Sequence, residues 1–212
     1  MWASALKVAA ATALFGLVHS ALASAWAKDW AVELVGRATA DAFYRPFYNA
    51  QALVLFGLLV LFVRRQPVRD LYHARGPLSW LMRAGQAVAL AMFVWAVVSV
   101  GLQHLTGYEN VLAWRSGAEV PPMPDGQEPP PAEPGAMSTA GPLAYSRHPL
   151  NWLLVPLFWL QPRMTTRLLA FDLVLAAYVV LGSVAAEAHT LLAYGEAYRG
   201  YQERVPFVAG AP

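Results

Sequence analysis

Residues 168–186 read LLAFDLVLAAYVVLGSVAA, nineteen positions that carry one charged side chain, Asp172. A helix rises 1.5 Å per residue and the hydrocarbon core of a bilayer is about 30 Å thick, so a run of this length is enough to cross it. Three more apolar blocks precede it. Residues 3–24 are interrupted by Lys7 and His19, residues 47–63 are stopped by Arg64 and Arg65, and residues 84–105 hold no formal charge. A shorter block, 150–160, contains Pro156 and is too short to span alone. The whole chain is 58% hydrophobic and 13% charged, against about 25% charged for a soluble domain. That leaves too few charges to cover a water-facing surface.

The expected fold is therefore all-α: a polytopic integral membrane helical bundle that closes with a helical hairpin and an amphipathic tail helix. Three parts are expected along the chain. Residues 1–105 supply three membrane segments, residues 106–140 a polar proline-rich loop, and residues 141–212 the hairpin and tail. Seven prolines between residues 121 and 134 remove backbone donors and block helix continuation. The first block also has the pattern of a signal peptide, with Lys7 ahead of an apolar run and small residues after it. His19 and Ser20 favour a retained helix. Around the hairpin, Gln161 to Arg167 make a turn in which Thr165 or Thr166 can cap the returning helix. Asp172 reads as a first-turn acid stabilised by the helix N-terminus.

Cysteine is absent, which excludes disulfides, thiolate nucleophiles and cysteine-ligated metals. The net charge of +2 comes without a dense basic patch interleaved with aromatics, so a nucleic-acid partner is excluded as well. No metal ligand set is recognisable. Nothing in the sequence sets an oligomeric state.

The polar residues that carry chemistry gather at the hairpin mouth. Tyr145-Ser146-Arg147-His148-Pro149-Leu150-Asn151 opens the first arm, and Glu187 terminates the returning arm on the same membrane side. Tyr194, Tyr198 and Tyr201 then recur at four and three residues, which puts one aromatic face on the tail helix. A hairpin mouth covered by an amphipathic helix makes a pocket with one opening to water and one to lipid. Isolated, Arg147 and His148 would read as interfacial anchors.

The ordered set Gly141-Pro142, Tyr145, Arg147-His148-Pro149, an apolar hairpin, Glu187, Tyr194-Gly195-Glu196-Ala197-Tyr198, Tyr201 and Val205-Pro206 resembles the C-terminal signature of the isoprenylcysteine carboxyl methyltransferase-like superfamily. His19-Ser20 and Tyr44-Arg45-Pro46-Phe47-Tyr48-Asn49 resemble its bacterial NnrU-like and methanethiol S-methyltransferase-like branch. Asn151 and Ala186 depart from that pattern, where tyrosine and a second glutamate are common. The resemblance implies S-adenosylmethionine as cofactor and a catalytic set of Arg147, His148 and Glu187. Tyr145, His148, Pro149, Asn151, Glu187, Tyr198 and Tyr201 would surround the cofactor, and His19, Arg147 and Arg204 would meet the substrate. It implies a methyltransferase in a bacterial inner membrane, embedded in membrane lipid and acting on a small thiol, a carboxylate or a lipid-like acceptor.

Three other readings stay open at this stage. One is a non-catalytic NnrU-like protein that supports nitrogen-oxide or redox metabolism. Another is a transporter component, and the third a heme site built from His19, His104, His148 or His189. The topology signals conflict. Five arginines in residues 64–83 argue for a cytoplasmic loop there, whereas a cofactor made in the cytosol calls for a hairpin mouth facing the cytoplasm. The cytoplasmic site, with the N-terminus on the far side, is the expectation adopted.

Overall fold

The structure, a computed structural model, describes residues 2–123 and 139–208. Residues 124–138 of the expected proline-rich loop lie outside the described residues, and Tyr108–Ser116 in its first part is helical. In chain order the elements are α1 (Trp2–Ala23), α2 (Ala25–Val35), α3 (Arg37–Arg65), β1 (Asp70–His73), α4 (Pro77–Val100), α5 (Leu102–Thr106) and α6 (Tyr108–Ser116). A 3-10 turn (Gly141–Ala144) then leads into α7 (Pro149–Trp152), α8 (Leu154–Trp159), β2 (Arg163–Thr165), α9 (Thr166–Tyr194) and α10 (Glu196–Arg204).

The fold is a polytopic all-α bundle. Four helices are long and apolar enough to cross a membrane: α1, α3, α4 and the Thr166–Leu192 part of α9. The α7–α8 pair, Pro149–Trp159, is apolar but short, about 16 Å along its axis. It supplies most of the first arm of the expected hairpin, and residues 160–162 carry the chain on to β2. Leucines and valines such as Leu14, Leu17, Leu58, Val88, Leu181 and Val184 point outward from the four long helices. In water such a surface would be a severe aggregation liability; in lipid it is the ordinary outer face. Aromatic residues mark both ends. Trp2, Tyr72 and Trp80 are exposed at one, and Trp26, Trp30, Tyr108 and Trp114 at the other, as expected of interfacial belts.

Specific contacts fix the directions of the helices. Val8 of α1 packs with Phe171 near the start of α9, and Ser20 hydrogen-bonds Tyr178 further along, so α1 and α9 run parallel. Gly16 permits this close approach, because a Cβ there would lie 2.9 Å from the Tyr178 ring. Helix α3 runs the other way: Tyr44 donates to the carbonyl of Leu22, and Leu59 and Val63 join Val8 in the core. Since Val8 has no exposed surface and sits at the centre of this cluster, α1 is an integral wall of the bundle. Its removal as a signal segment would uncover the inner faces of α3 and α9.

One end of the bundle, here the sheet end, carries a feature invisible in the sequence. β1 pairs antiparallel with β2, joining His73 to Arg163 and Asp70 to Thr165, and Arg163 grips Asp70 with two hydrogen bonds of 2.9 and 3.0 Å. Thr165 caps α9 by accepting from the Leu168 amide, while Arg167 donates to the carbonyls of Arg64 and Gln66 and so closes the C-terminus of α3.

Three sequence expectations change. Helix α3 starts ten residues before the apolar run at Phe47 and passes through Pro46. Side-chain bonds on both flanks hold it: Asn110 donates to the Asp41 carbonyl and Asn49 to that of Leu105. Helix α9 continues to Tyr194, so Glu187 lies within it and does not terminate it. Asp172 is the seventh residue of α9, not a first-turn acid; it is 1% exposed, and neither carboxyl oxygen has a hydrogen-bond partner among the described residues. It shares a helix stripe with Val179 and Ser183, and Ser183 receives Asn151, so that stripe faces the α7–α8 arm.

Candidate functional site

The site lies at the end opposite the sheet, where the chain enters α7 and leaves α9. Pro149 supplies the first residue of α7, where its missing N–H costs nothing, and it is buried. That fixes Arg147 and His148 on the approach to the helix. The His148 amide donates to Ser146 Oγ, and the Arg147 amide donates to the carbonyl of Pro206 in the tail.

Glu187 is the centre of the arrangement. Its Oε1 accepts from Arg147 Nε at 2.6 Å and contacts His148 Nε2 at 3.1 Å, while Oε2 accepts from Gln202 Nε2 at 2.9 Å. Arg147 and Glu187 are 12% and 17% exposed in their side chains, so this ion pair is largely shielded from solvent. The other side of the guanidinium holds the tail: Nη1 donates to the carbonyls of Gln202 and Val205, at the C-terminus of α10. A cation there also meets the negative end of the helix dipole. The guanidinium lies 5.5 Å from the centre of the Phe207 ring, and the His148 ring meets that phenyl edge-on at 5.0 Å.

The tail helix closes this arrangement through its aromatic face. Tyr198, Tyr201 and Val205 form a buried cluster with Leu191 and Tyr194. Tyr201 donates its hydroxyl to the Leu143 carbonyl at 2.6 Å. Burial, with the Glu187 carboxylate beside it, pushes the Tyr198 phenol further above its ordinary value, so it is present as a neutral donor. Next to the clasp lies a cavity of about 230 Å³, bounded by Ala96, Ser99 and Val100 of α4 and by Gly141, Leu143 and Pro149. Gly141 adopts φ +63, and a Cβ there would come within 3.2 Å of Ser99 Oγ, so glycine alone suits this wall.

Arg147, His148, Pro149, Glu187, Tyr198 and Tyr201 thus converge. Asn151 is one turn further into α7, where its amide donates to Ser183 Oγ and ties α7 to α9. Tyr145 is 46% exposed and stands beside Trp95, with ring centres 6.3 Å apart. Two residues are not brought in. Arg204 is exposed on the tail, without a side-chain polar partner among the described residues. His19 belongs to another cluster inside the bundle, where Nε2 meets the Tyr48 hydroxyl at 2.7 Å and the ring packs against Phe15 and Tyr178. Tyr178 precedes Glu187 by nine residues, about 14 Å along the helix.

The four histidines of the heme reading are dispersed. His104 pairs with Glu109, His148 with Glu187 and His19 with Tyr48, and His189 is exposed. Among the described residues, no three His, Asp or Glu side chains gather as metal ligands would. Sequence reasoning missed Gln202 and Phe207. Gln202 had a usable signal, since it stands four residues after Tyr198 and hence on the buried face.

No family model matches the chain, and no solved structure matches it. Two curated proteins do. A methanethiol S-methyltransferase of Crocosphaera subtropica is 27% identical over 206 residues, covering 92% of this chain and 70% of that protein. A methanethiol S-methyltransferase of Pseudomonas deceptionensis is 36% identical over 77 residues, covering 35% of this chain and 29% of that protein. The chain is therefore a polytopic helical membrane protein with distant, partial similarity to methanethiol S-methyltransferases.

Proposed function

We propose that this protein is a membrane methyltransferase that uses S-adenosylmethionine and acts on a small apolar thiol acceptor. The observation that carries the reading is the convergence of Arg147, His148 and Glu187 beneath the tyrosine face of α10, at the water-facing edge of an apolar bundle. Similarity to two methanethiol S-methyltransferases supports the thiol over a carboxylate or a lipid-like acceptor.

The residues present fit the cofactor chemically. Glu187 offers negative charge to a ligand whose amino and sulfonium groups are cationic. Tyr198 is a neutral donor and His148 a second polar contact, and the adjoining cavity gives an apolar wall at Leu143 and Pro149. When bound, S-adenosylmethionine supplies an activated methyl group. The protein's task is then to position the acceptor in line and to exclude water, with no metal or covalent enzyme intermediate required. Both Glu187 oxygens already carry protein donors, so a ligand reaches the carboxylate by displacing one. Gln202, a neutral amide on the tail helix, is the least costly to displace.

Titration of the detergent-purified protein with S-adenosylmethionine is expected to give saturable binding that is lost in His148→Ala. Absence of binding by folded native protein would favour the second reading, a non-catalytic relative of the same fold. The closed hydrogen-bond network around Glu187 is the observation that favours that alternative.

The site end is proposed to face the cytosol, where the cofactor is made. The charge distribution opposes this orientation, because Arg64, Arg65, Arg69, Arg75, Arg163 and Arg167 lie at the sheet end. The cysteine-free chain makes the test direct. In intact cells a membrane-impermeant maleimide should label His73→Cys at once and Ser116→Cys only after permeabilisation. The reverse pattern would overturn the cytosolic site.

A further inference from the structure

We propose that the sheet end binds an anionic glycerophospholipid, with one acyl chain in a groove between α1 and α9 and the headgroup against Arg69, Arg64 and Arg65. The groove holds about 490 Å³ and is lined by Ala3, Leu6 and Ala9 of α1, Leu71 of β1, and Ala170 and Leu173 of α9, among others. From Trp2 to Ala9 it extends about 11 Å along α1, most of the depth of one leaflet's hydrocarbon. The small side chains of Ala9 and Ala170 form its floor, and the exposed Ala3, Leu6 and Leu173 stand along its walls. Lipid-facing helices usually present a ragged surface; a continuous apolar channel starting at the interface suits an extended hydrocarbon chain.

The mouth of the groove is basic. Thr166, on its wall, donates its amide to the Arg69 carbonyl, and Leu71 lies two residues beyond Arg69. Arg64 and Arg65 come from the last turn of α3, which Arg167 ties to the start of α9. The charge of Arg163 is taken by Asp70, whose carboxyl the paired guanidinium holds below its ordinary range. The side chains of Arg64, Arg65, Arg69 and Arg75 make no hydrogen bond or ion pair with another described residue, and all four are exposed. Tyr72 and Trp80 beside them mark headgroup depth.

Charge selects the occupant. A second copy docking here by the same face would bring two arginine clusters together, whereas a lipid phosphate neutralises them. The surface lies at the opposite end of the bundle from Glu187, so the proposal stands independently of the methyltransferase reading.

The test uses the full chain in detergent, titrated with phosphatidylglycerol and with phosphatidylcholine of identical acyl chains, and read by native mass spectrometry. The native protein is expected to prefer phosphatidylglycerol. Each Arg→Gln change at 64, 65 or 69 should lower that preference about fivefold, as expected for roughly 1 kcal/mol per basic residue at a membrane surface. Arg115→Gln, which removes the same charge from the other end, should leave it unchanged. Ala3→Phe, at an exposed position on the groove wall, should weaken both lipids. Equal binding of the two lipids by native protein would overturn the proposal. So would a preference that survives loss of all three arginines, or a native dimer that Ala3→Phe dissociates.

Discussion

Glu187→Ala is expected to lower stability by about 3–5 kcal/mol and to abolish S-adenosylmethionine binding, whereas Glu187→Gln should keep the fold and weaken binding roughly thirtyfold. The contrast follows from what each change leaves behind. Alanine strips the partner from Arg147 Nε, His148 Nε2 and Gln202 Nε2 at once, and it leaves a largely buried guanidinium without a counter-charge. Glutamine is nearly isosteric. Its carbonyl can occupy the Oε1 position and continue to accept from Arg147, while its amide nitrogen takes the Oε2 position facing Gln202. The Gln202 side chain then satisfies it by turning its own amide over, a rearrangement that needs no backbone motion. Only the charge is lost, about 2 kcal/mol when a charged acceptor becomes neutral. The glutamine variant thus separates cofactor recognition from folding. Binding within twofold of native, in a glutamine variant that still folds, would mean that the Glu187 carboxylate does not meet the cofactor.

The membrane spans were legible because an apolar run must be long to cross lipid, and length survives any uncertainty at its ends. The ends themselves were not legible. Residues 37–46 are too polar to read as membrane helix and finish at Pro46, yet α3 includes them because Asn110 donates to the Asp41 carbonyl just before the proline and Asn49 just after it ties the helix to the Leu105 carbonyl. In α9 the apolar count stops at Ala186, but Glu187 can sit inside a helix because Arg147, forty residues earlier, neutralises it. The β1–β2 ribbon was out of reach for the same reason. Asp70 and Arg163 are 93 residues apart, and neither flank alternates in hydrophobicity strongly enough to suggest a strand.

The gathering of Arg147, His148 and Glu187 was legible, since the hairpin brings both its open ends to one side and the tail spacing puts Tyr198 and Tyr201 on one face. What spacing could not reveal is where each side chain spends its hydrogen bonds. The resemblance puts Arg147 in the catalytic set and against the substrate, but its Nε and Nη1 are engaged by the protein itself. His19 belongs to a different polar cluster, built with Tyr48 on a helix that its own sequence neighbourhood does not announce. Asp172 marks the opposite failure. A position near the start of an apolar run suggests a helix-end acid, yet six residues of α9 precede it and its carboxyl is buried with no hydrogen-bond partner among the described residues.

Arg147→Ala is expected to release the tail, with trypsin cleaving at Arg199 and Arg204 roughly a hundredfold faster than in native protein. One guanidinium bonds Glu187 on α9 and the Gln202 and Val205 carbonyls on α10, and the Arg147 amide also holds Pro206. Removing the side chain therefore unlocks α10 from both its neighbours, and it leaves the Glu187 charge short of its strongest partner. Breaking such a shielded pair costs about 3–5 kcal/mol. Tyr201 and the Leu143 carbonyl still hold part of the tail, so the lower figure applies to local opening, and about 3 kcal/mol raises the open population by roughly two orders of magnitude. When reclosing outruns cleavage, the proteolysis rate follows that population. Arg147→Lys should behave nearly as alanine does, because one ammonium cannot reproduce a fork that reaches a carboxylate and two carbonyls together. If the tail of Arg147→Ala stays as protected as in native protein while S-adenosylmethionine binding disappears, Arg147 acts on the ligand and the clasp is held by the tyrosines alone. If both are lost together, the clasp assembles the site: the tail must be strapped down before Tyr198 and Glu187 can present a common surface.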